Sequence, residues 1–89
     1  MTVDKERKGD IIKEFRLKEN DSGSVEVQVA VLSERINQLT EHLRLYPQDS
    51  HSRHALHGVI GKRRRFLRYL RGTAPERYRS LVDRLGLRE

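Results

Sequence analysis

Between Val25 and Leu43 the apolar residues fall at Val25, Val29, Leu32, Ile36, Leu39 and Leu43, in alternating steps of four and three. At the period of an α-helix these positions form a seam only about 80° wide, the pattern of a helix that packs lengthwise on a partner. A second periodic stretch covers Ser52 to Arg71, where Leu56, Val59, Ile60, Phe66, Leu67 and Leu70 share an arc of about 120°. Tyr46-Pro47 ends the first helix, because the residue before proline avoids the α region. Gln48 to Ser50 then make a tight polar turn in which Asp49 or Ser50 caps the second helix. So short a link predicts an antiparallel hairpin about 30 Å long, at about 1.5 Å per residue.

Shorter helices flank the hairpin. Thr2 to Leu17 carries Ile11, Ile12 and Phe15 on one side of a charged segment, with Asp4 as its N-cap. This reads as a short, mostly exposed and mobile helix with the weakest packing in the chain. Lys18 to Ser24 is a polar turn in which Gly23 can take positive φ and Ser24 can cap the first long helix. After the hairpin, Gly72 suits the residue just past a helix end, and Thr73 to Glu76 reads as a capping box with Pro75 in the first turn. Tyr78, Leu81, Val82 and Leu85 give the last helix one apolar face, closed by Gly86. No strand pattern or repeat interrupts the series. The expectation is an all-α, four-helix protein forming a single domain over residues 1–89.

Charge changes the picture of the second long helix. No acidic residue stands between Asp49 and Glu76, and the Ser52 to Arg71 stretch holds seven of the chain's 19 Lys and Arg. The other 12 nearly balance the 13 acids, so the net charge of +6 sits on this one element. Arg53, His57, Arg64, Arg68 and Arg71 form a stripe beside its apolar arc, with Arg65, Tyr69 and Lys62 further round. Arg forks bind phosphates bidentately and stack on bases, so Lys62 to Arg65 with Phe66 and Tyr69 is the strongest candidate for binding a polyanion. Arg63 falls inside the apolar arc and is expected to snorkel or to pair with an acid of another helix. On the first long helix the polar residues are sorted. Gln28, Arg35 and His42 recur every seven residues along one flank, and Glu26, Glu34 and Glu41 are expected on the far side.

Other chemistry has little support. The chain has no Cys, which excludes disulfides and thiolate metal sites and fits a reducing compartment. Among the histidines, His51, His54 and His57 stand at steps of three beside His42, but with only Asp49 nearby the ligand set is thin and open to solvent. Asp49, Ser52 and a His could be assembled as a triad only on a turn of a thin bundle, where nothing builds an oxyanion hole. With 89 residues there is core enough for one domain and none for a deep cleft. No catalysis, metal or cofactor is expected. The charged N-terminus and the lack of an apolar run of about 18 residues predict a soluble, cytosolic protein without a membrane partner.

Several short motifs carry a resemblance. Asp-Ser-Gly-Ser at 21–24, Glu26-Val27-Gln28, Arg35-Ile36-Asn37, Glu41-His42-Leu43, Asp49 with His51-Ser52, the Arg63 to Leu70 run, Pro75 to Tyr78 and Leu85 to Arg88 occur in order along the chain. Together they closely resemble the family of the bacterial small-subunit ribosomal protein number fifteen. That resemblance implies a four-helix protein, monomeric when free, which binds the central domain of small-subunit ribosomal RNA early in assembly. It implies contact with a three-helix junction through Ser22, Gly23, Gln28, Arg35 and Tyr69, and with a shallow minor groove through His42, Asp49 and Ser52. Asp49, facing a polyanion, would accept from base amino or 2′-hydroxyl groups. Neighbouring small-subunit proteins, large-subunit RNA and the protein's own messenger RNA are the further partners so implied. The chain departs from the family at Ser22, where Thr is common, and at Gly72, usually basic, where a phosphate contact is lost or passes to Arg71. It departs again at Ser50 to His54, which carries less charge than the usual tip.

Two rival uses leave different signatures. A DNA-binding protein would lay the basic helix in a major groove, yet a long hairpin is not a compact helix-turn-helix. A coiled-coil adaptor would offer the Val25 to Leu43 seam to a protein partner and would be indifferent to Arg64 or Arg68.

Overall fold

In the computed structural model, which describes residues 5–15 and 24–87, four helices succeed one another: α1 (Lys5–Phe15), α2 (Val25–Leu45), α3 (Ser50–Thr73) and α4 (Pro75–Leu85). Local chemistry sets each boundary. Ser24 caps α2 by accepting from the Val27 amide at 3.3 Å. Tyr46, held extended before Pro47, ends α2 with its amide on the His42 carbonyl at 2.8 Å. Asp49, not Ser50, caps α3 and accepts from the Ser52 amide at 3.1 Å. Gly86 closes α4 in the left-handed region at φ 66°, and Leu87 then donates to the Val82 carbonyl at 3.0 Å. The expected Asp4 cap, the ends of the expected Thr2 to Leu17 helix and Gly23 lie outside the described residues.

The junction of α3 and α4 departs from the expected one. Gly72 does not follow the helix end, and Thr73 does not start a capping box, because α3 runs on through both. Thr73 Oγ1 donates back to the Tyr69 carbonyl at 3.0 Å, the i−4 bond of a helical threonine. Pro75 fixes the break instead. It forces Ala74 out of the α region, at φ −149° and ψ 75°, and this single residue ends one helix and begins the next.

Two clusters make up the core. Toward the tip of the hairpin only α2 and α3 are present, and Leu32, Ile36 and Leu39 pack on Val59 with Ala55, Leu56, Ile60 and Phe66. At the other end α1 and α4 close over the hairpin, and Ile11, Phe15, Val27, Val29, Ala30, Leu67, Leu70 and Leu81 form the larger cluster. The seam read from the sequence therefore runs the length of α2. At its N-terminal half, however, Val27 and Ala30 are buried on faces that a one-partner seam leaves in water. The thin apolar face of α1, which made it the expected mobile element, docks through its last turn. Arg84 of α4 stacks over the Phe15 ring at 4.2 Å and donates to the Glu14 carbonyl at 2.7 Å, while Arg7 reaches Glu34 of α2 at 3.4 Å.

Glu26 is a further correction. Expected on the outer side with Glu34 and Glu41, it is only 5% exposed and takes a bidentate pair of 2.6 Å bonds from Arg77 of α4. The reason is tertiary: α4 folds back over a side of α2 lying about 100° from the seam, and a carboxylate covered there needs a fork-shaped cation. Arg63 was expected to snorkel or to pair with an acid; it reaches another helix, but Nη1 donates there to a hydroxyl, that of Ser33 of α2, at 3.1 Å.

Removing Arg77 strands the Glu26 carboxylate. Arg77→Ala is expected to lower the unfolding free energy by about 2 kcal/mol, less than for a fully buried pair because Arg77 is half in water. Arg77→Lys should recover only part, since an ammonium cannot make both bonds. Urea denaturation checks this, with Arg79→Ala as a control expected within about 0.5 kcal/mol of the parent.

Candidate nucleic-acid interface

At the tip of the hairpin, the cap of α3 and a side chain of α2 meet on one carboxylate. Asp49 Oδ1 accepts from the Ser52 amide, and Oδ2 accepts the Ser52 hydroxyl at 2.8 Å and lies 2.7 Å from His42 Nε2. Seven residues apart across a turn, His42 and Asp49 are brought together only because the turn is tight enough to return the chain on itself. With Asp49 ionised, the His42 proton belongs on Nε2, which leaves Nδ1 of the neutral ring as an acceptor. The Tyr46 ring, 60% exposed, lies 5.0 Å from the imidazole at a tilt of 36° and limits its rotation.

This arrangement gives Asp49 a part within the protein as well. A carboxylate offers roughly four lone-pair positions, and contacts within the protein occupy three of them. Asp49 is therefore first the residue that orients His42 and Ser52. The same bonds hold its carboxyl well below the usual carboxylate range: the Ser52 amide contributes most, followed by His42 and the Ser52 hydroxyl.

Along the α2 flank, Gln28 lies about 21 Å from His42 at about 1.5 Å per residue. It borders a cleft of about 190 Å³ with Lys8 of α1 and Lys62 of α3, floored by Val31, Leu32 and Phe66. Arg35, on the same flank, is half-buried, and its Nε is shut off from water with no acceptor among the described residues. A donor so placed is costly unless a ligand meets it.

On α3, Arg64, Arg65, Arg68, Tyr69 and Arg71 are all exposed, Tyr69 to 60%. They do not form a single surface. Helix geometry turns Tyr69 about 100° and Arg65 about 60° from Arg68 toward the Lys62 side. Arg64 and Arg71 are turned by about 40° and about 60° the other way, where they line a second cleft with Arg68, Leu67 and Tyr78. His42, Asp49 and Ser52 thus meet at the tip, and Gln28, Arg35 and His42 share one flank of α2. On α3, Arg64, Arg68 and Arg71 line the cleft with Tyr78, Lys62 lines the one with Lys8, and Arg65 and Tyr69 line neither. Ser22 and Gly23 lie outside the described residues. Sequence reasoning gave Lys8 no role and placed Tyr78 only on the apolar face and in the opening motif of the last helix. Each stands on a flanking helix, and no spacing within that helix signals that it borders a cleft with α3. His51, His54 and His57 are exposed on the first turns of α3.

The depressed Asp49 carboxyl gives a pH prediction. Stability that depends on its ionised form is present above the ordinary carboxylate value and is lost as pH falls from about 4 toward the lower folded value. Carbon-13 NMR of the Asp49 carboxyl should titrate well below about 3.9, and His42→Ala should raise that midpoint part of the way. A parent midpoint at the ordinary value would show that the bonds at the tip do not form in solution.

The sequence model of the family described as Ribosomal protein S15 matches residues 8–88. A small ribosomal subunit protein uS15 from Thermotoga maritima is 55% identical over 89 residues, spanning 100% of this chain and 99% of the relative. The protein of the same name from Halalkalibacterium halodurans is 56% identical over 88 residues, 99% of each chain. That from Desulforudis audaxviator is 55% identical over the full length of both. With a match that runs from the first helix to the end of the last, the chain belongs to the ribosomal protein S15 family.

Proposed function

We propose that this chain is a structural component of the small ribosomal subunit in the cytoplasm, an RNA-binding protein and not an enzyme. In this reading it binds the central domain of the subunit's RNA at a three-helix junction and at a neighbouring minor groove. The observation that carries it is the tip: His42, Asp49 and Ser52 are locked together at one end of a rigid hairpin, about 21 Å along the same flank from Gln28. Short polar groups held at a fixed spacing suit the wide minor groove of A-form RNA, whose 2′-hydroxyls and base edges change little from site to site. His42 Nδ1 and the Ser52 hydroxyl read the groove, while Asp49 orients both.

At the other end, Ser22, Gly23, Gln28, Arg35 and Tyr69 hold the junction. Arg35 offers the outer nitrogens of its guanidinium to the RNA, and Tyr69 stacks or donates. Arg64, Arg65, Arg68 and Arg71 supply backbone affinity. About six phosphate contacts would make binding fall by several orders of magnitude over a modest rise in salt. Binding orders the junction for the small-subunit proteins that assemble later. Contact with the large subunit and repression of its own messenger RNA belong to the same reading.

The rival uses lose ground on packing. A coiled-coil adaptor would need the α2 seam, but Leu32, Ile36 and Leu39 are spent against α3. A major-groove reader would need a projecting basic helix, and α3 is one arm of the hairpin.

A titration with a three-helix RNA junction carrying a nearby minor-groove site, against a linear duplex of equal length at two salt concentrations, tests the reading. The junction should win by about a hundredfold, or about 2.7 kcal/mol, and keep its lead at high salt. His42→Ala should weaken binding to the cognate RNA selectively, whereas Arg68→Ala should weaken binding to cognate and scrambled RNA alike. Equal losses on both RNAs for both variants would overturn the division between reading and anchoring.

A further inference from the structure

We propose that Arg64, Arg68 and Arg71 of α3, walled by Tyr78 of α4, form a discrete seat for one phosphate group. RNA is its source, so α4 becomes part of the RNA-binding surface. The identification of that source rests on the RNA-binding function proposed above; the anion site itself rests on the cleft.

Spacing brings the three guanidinium groups together. Arg64, Arg68 and Arg71 stand at i, i+4 and i+7, one above another on a single face of α3. A basic stripe on an isolated helix would be open on both sides, but here α4 closes one of them. Tyr78 borders the cleft, its ring centroid lies 6.0 Å from the Arg71 guanidinium carbon, and the buried Leu67 side chain, 1% exposed, forms the floor. The Tyr78 ring gives Arg71 a face to rest on and limits its orientations. The space amounts to about 120 Å³, or about four waters at roughly 30 Å³ each. It admits a phosphoryl group with its oxygens.

Charge points the same way. No carboxylate borders the cleft. Four acids elsewhere are paired with cations: Glu26 with Arg77, Glu34 with Arg7, Glu41 with Arg44 and Asp49 with His42. Arg77, the neighbour of Tyr78, is thereby turned away to Glu26. Among the described residues, no acid pairs with Arg64, Arg68 or Arg71. Like charges one turn apart on a helix repel, and a stripe that served only solubility would be relieved by an acid among them. An oxyanion with several acceptors relieves the repulsion and suits guanidinium forks, which grip phosphate bidentately where an ammonium acts as a point charge.

Inorganic phosphate, titrated into the full-length protein and followed by NMR of the arginine Nε–H groups and the Tyr78 ring, tests the seat without RNA. Arg64, Arg68, Arg71 and Tyr78 should shift together and saturate on one isotherm. Weak, non-saturating shifts shared with Arg53 and Arg79 would overturn the proposal. On the junction RNA, Arg68→Ala should cost about tenfold and lower the slope of log affinity against log salt by about 0.9. Arg68→Lys should keep that slope yet lose about threefold, because the charge stays and the fork goes. If Lys binds as well as Arg, or if Ala leaves both affinity and slope unchanged while the parent binds its RNA, the seat fails and the RNA-binding function stands. If the parent does not prefer the junction RNA at all, that function fails, and the phosphate titration still decides the seat.

Discussion

The packing of α2 on α3 through Leu32, Ile36, Leu39 and Val59 is the contact that every other feature of the molecule presupposes. It holds two helices antiparallel along their length, since most of a helix's stability in a protein comes from the packing of its apolar face. It also sets the tip. The turn can return Asp49 to His42 only if the two arms arrive at a fixed separation, and the seam fixes it. At the opposite end the same two helices offer a broader platform. There α1 and α4 add the second cluster, and with it the two clefts that border α3.

The hairpin frame also sorts the charges. Three acids are used inside the protein: Glu26 clamps α4 to α2, Glu34 meets α1, and Asp49 caps α3 while orienting His42. On α3 this leaves Arg64, Arg68 and Arg71 outward, and no acid among the described residues pairs with them. Such a molecule is stable as a fold and incomplete as a charge distribution. The partner that completes it is a polyanion with regular spacing.

Much of the fold was legible in the residues. The step of four and three from Val25 to Leu43 required a helix packed lengthwise, Tyr46-Pro47 required its end, and the short polar link required an antiparallel return. Periodicity and proline act over a few residues, so the sequence states them directly. The flank of Gln28, Arg35 and His42 was legible for the same reason, because a seven-residue repeat places residues on one side of a helix whatever surrounds it. The end of α3 was misread where two local signals competed. Gly72 permits a helix end but does not require one, whereas Pro75 imposes a break on the residue before it.

The features that escaped the sequence share one cause: each depends on how another helix is placed. Glu26 was expected outside because nothing within α2 says that α4 will lie across it, 51 residues later. The cap by Asp49 was read in the sequence, but its bond to His42 was not, because the histidine stands on the other arm of the hairpin. Arg64, Arg68 and Arg71 read as an open stripe on α3 and line a cleft only when Tyr78 arrives from α4, as Lys62 does only when Lys8 arrives from α1. Four helices, the hairpin and the sign of the partner's charge arise from periodicity, caps and composition, and the residues alone were enough to specify them. Which charges are buried, which are oriented and which are left for a ligand depends on how the helices cover one another, since burial is a property of the packed molecule and not of any one stretch of chain.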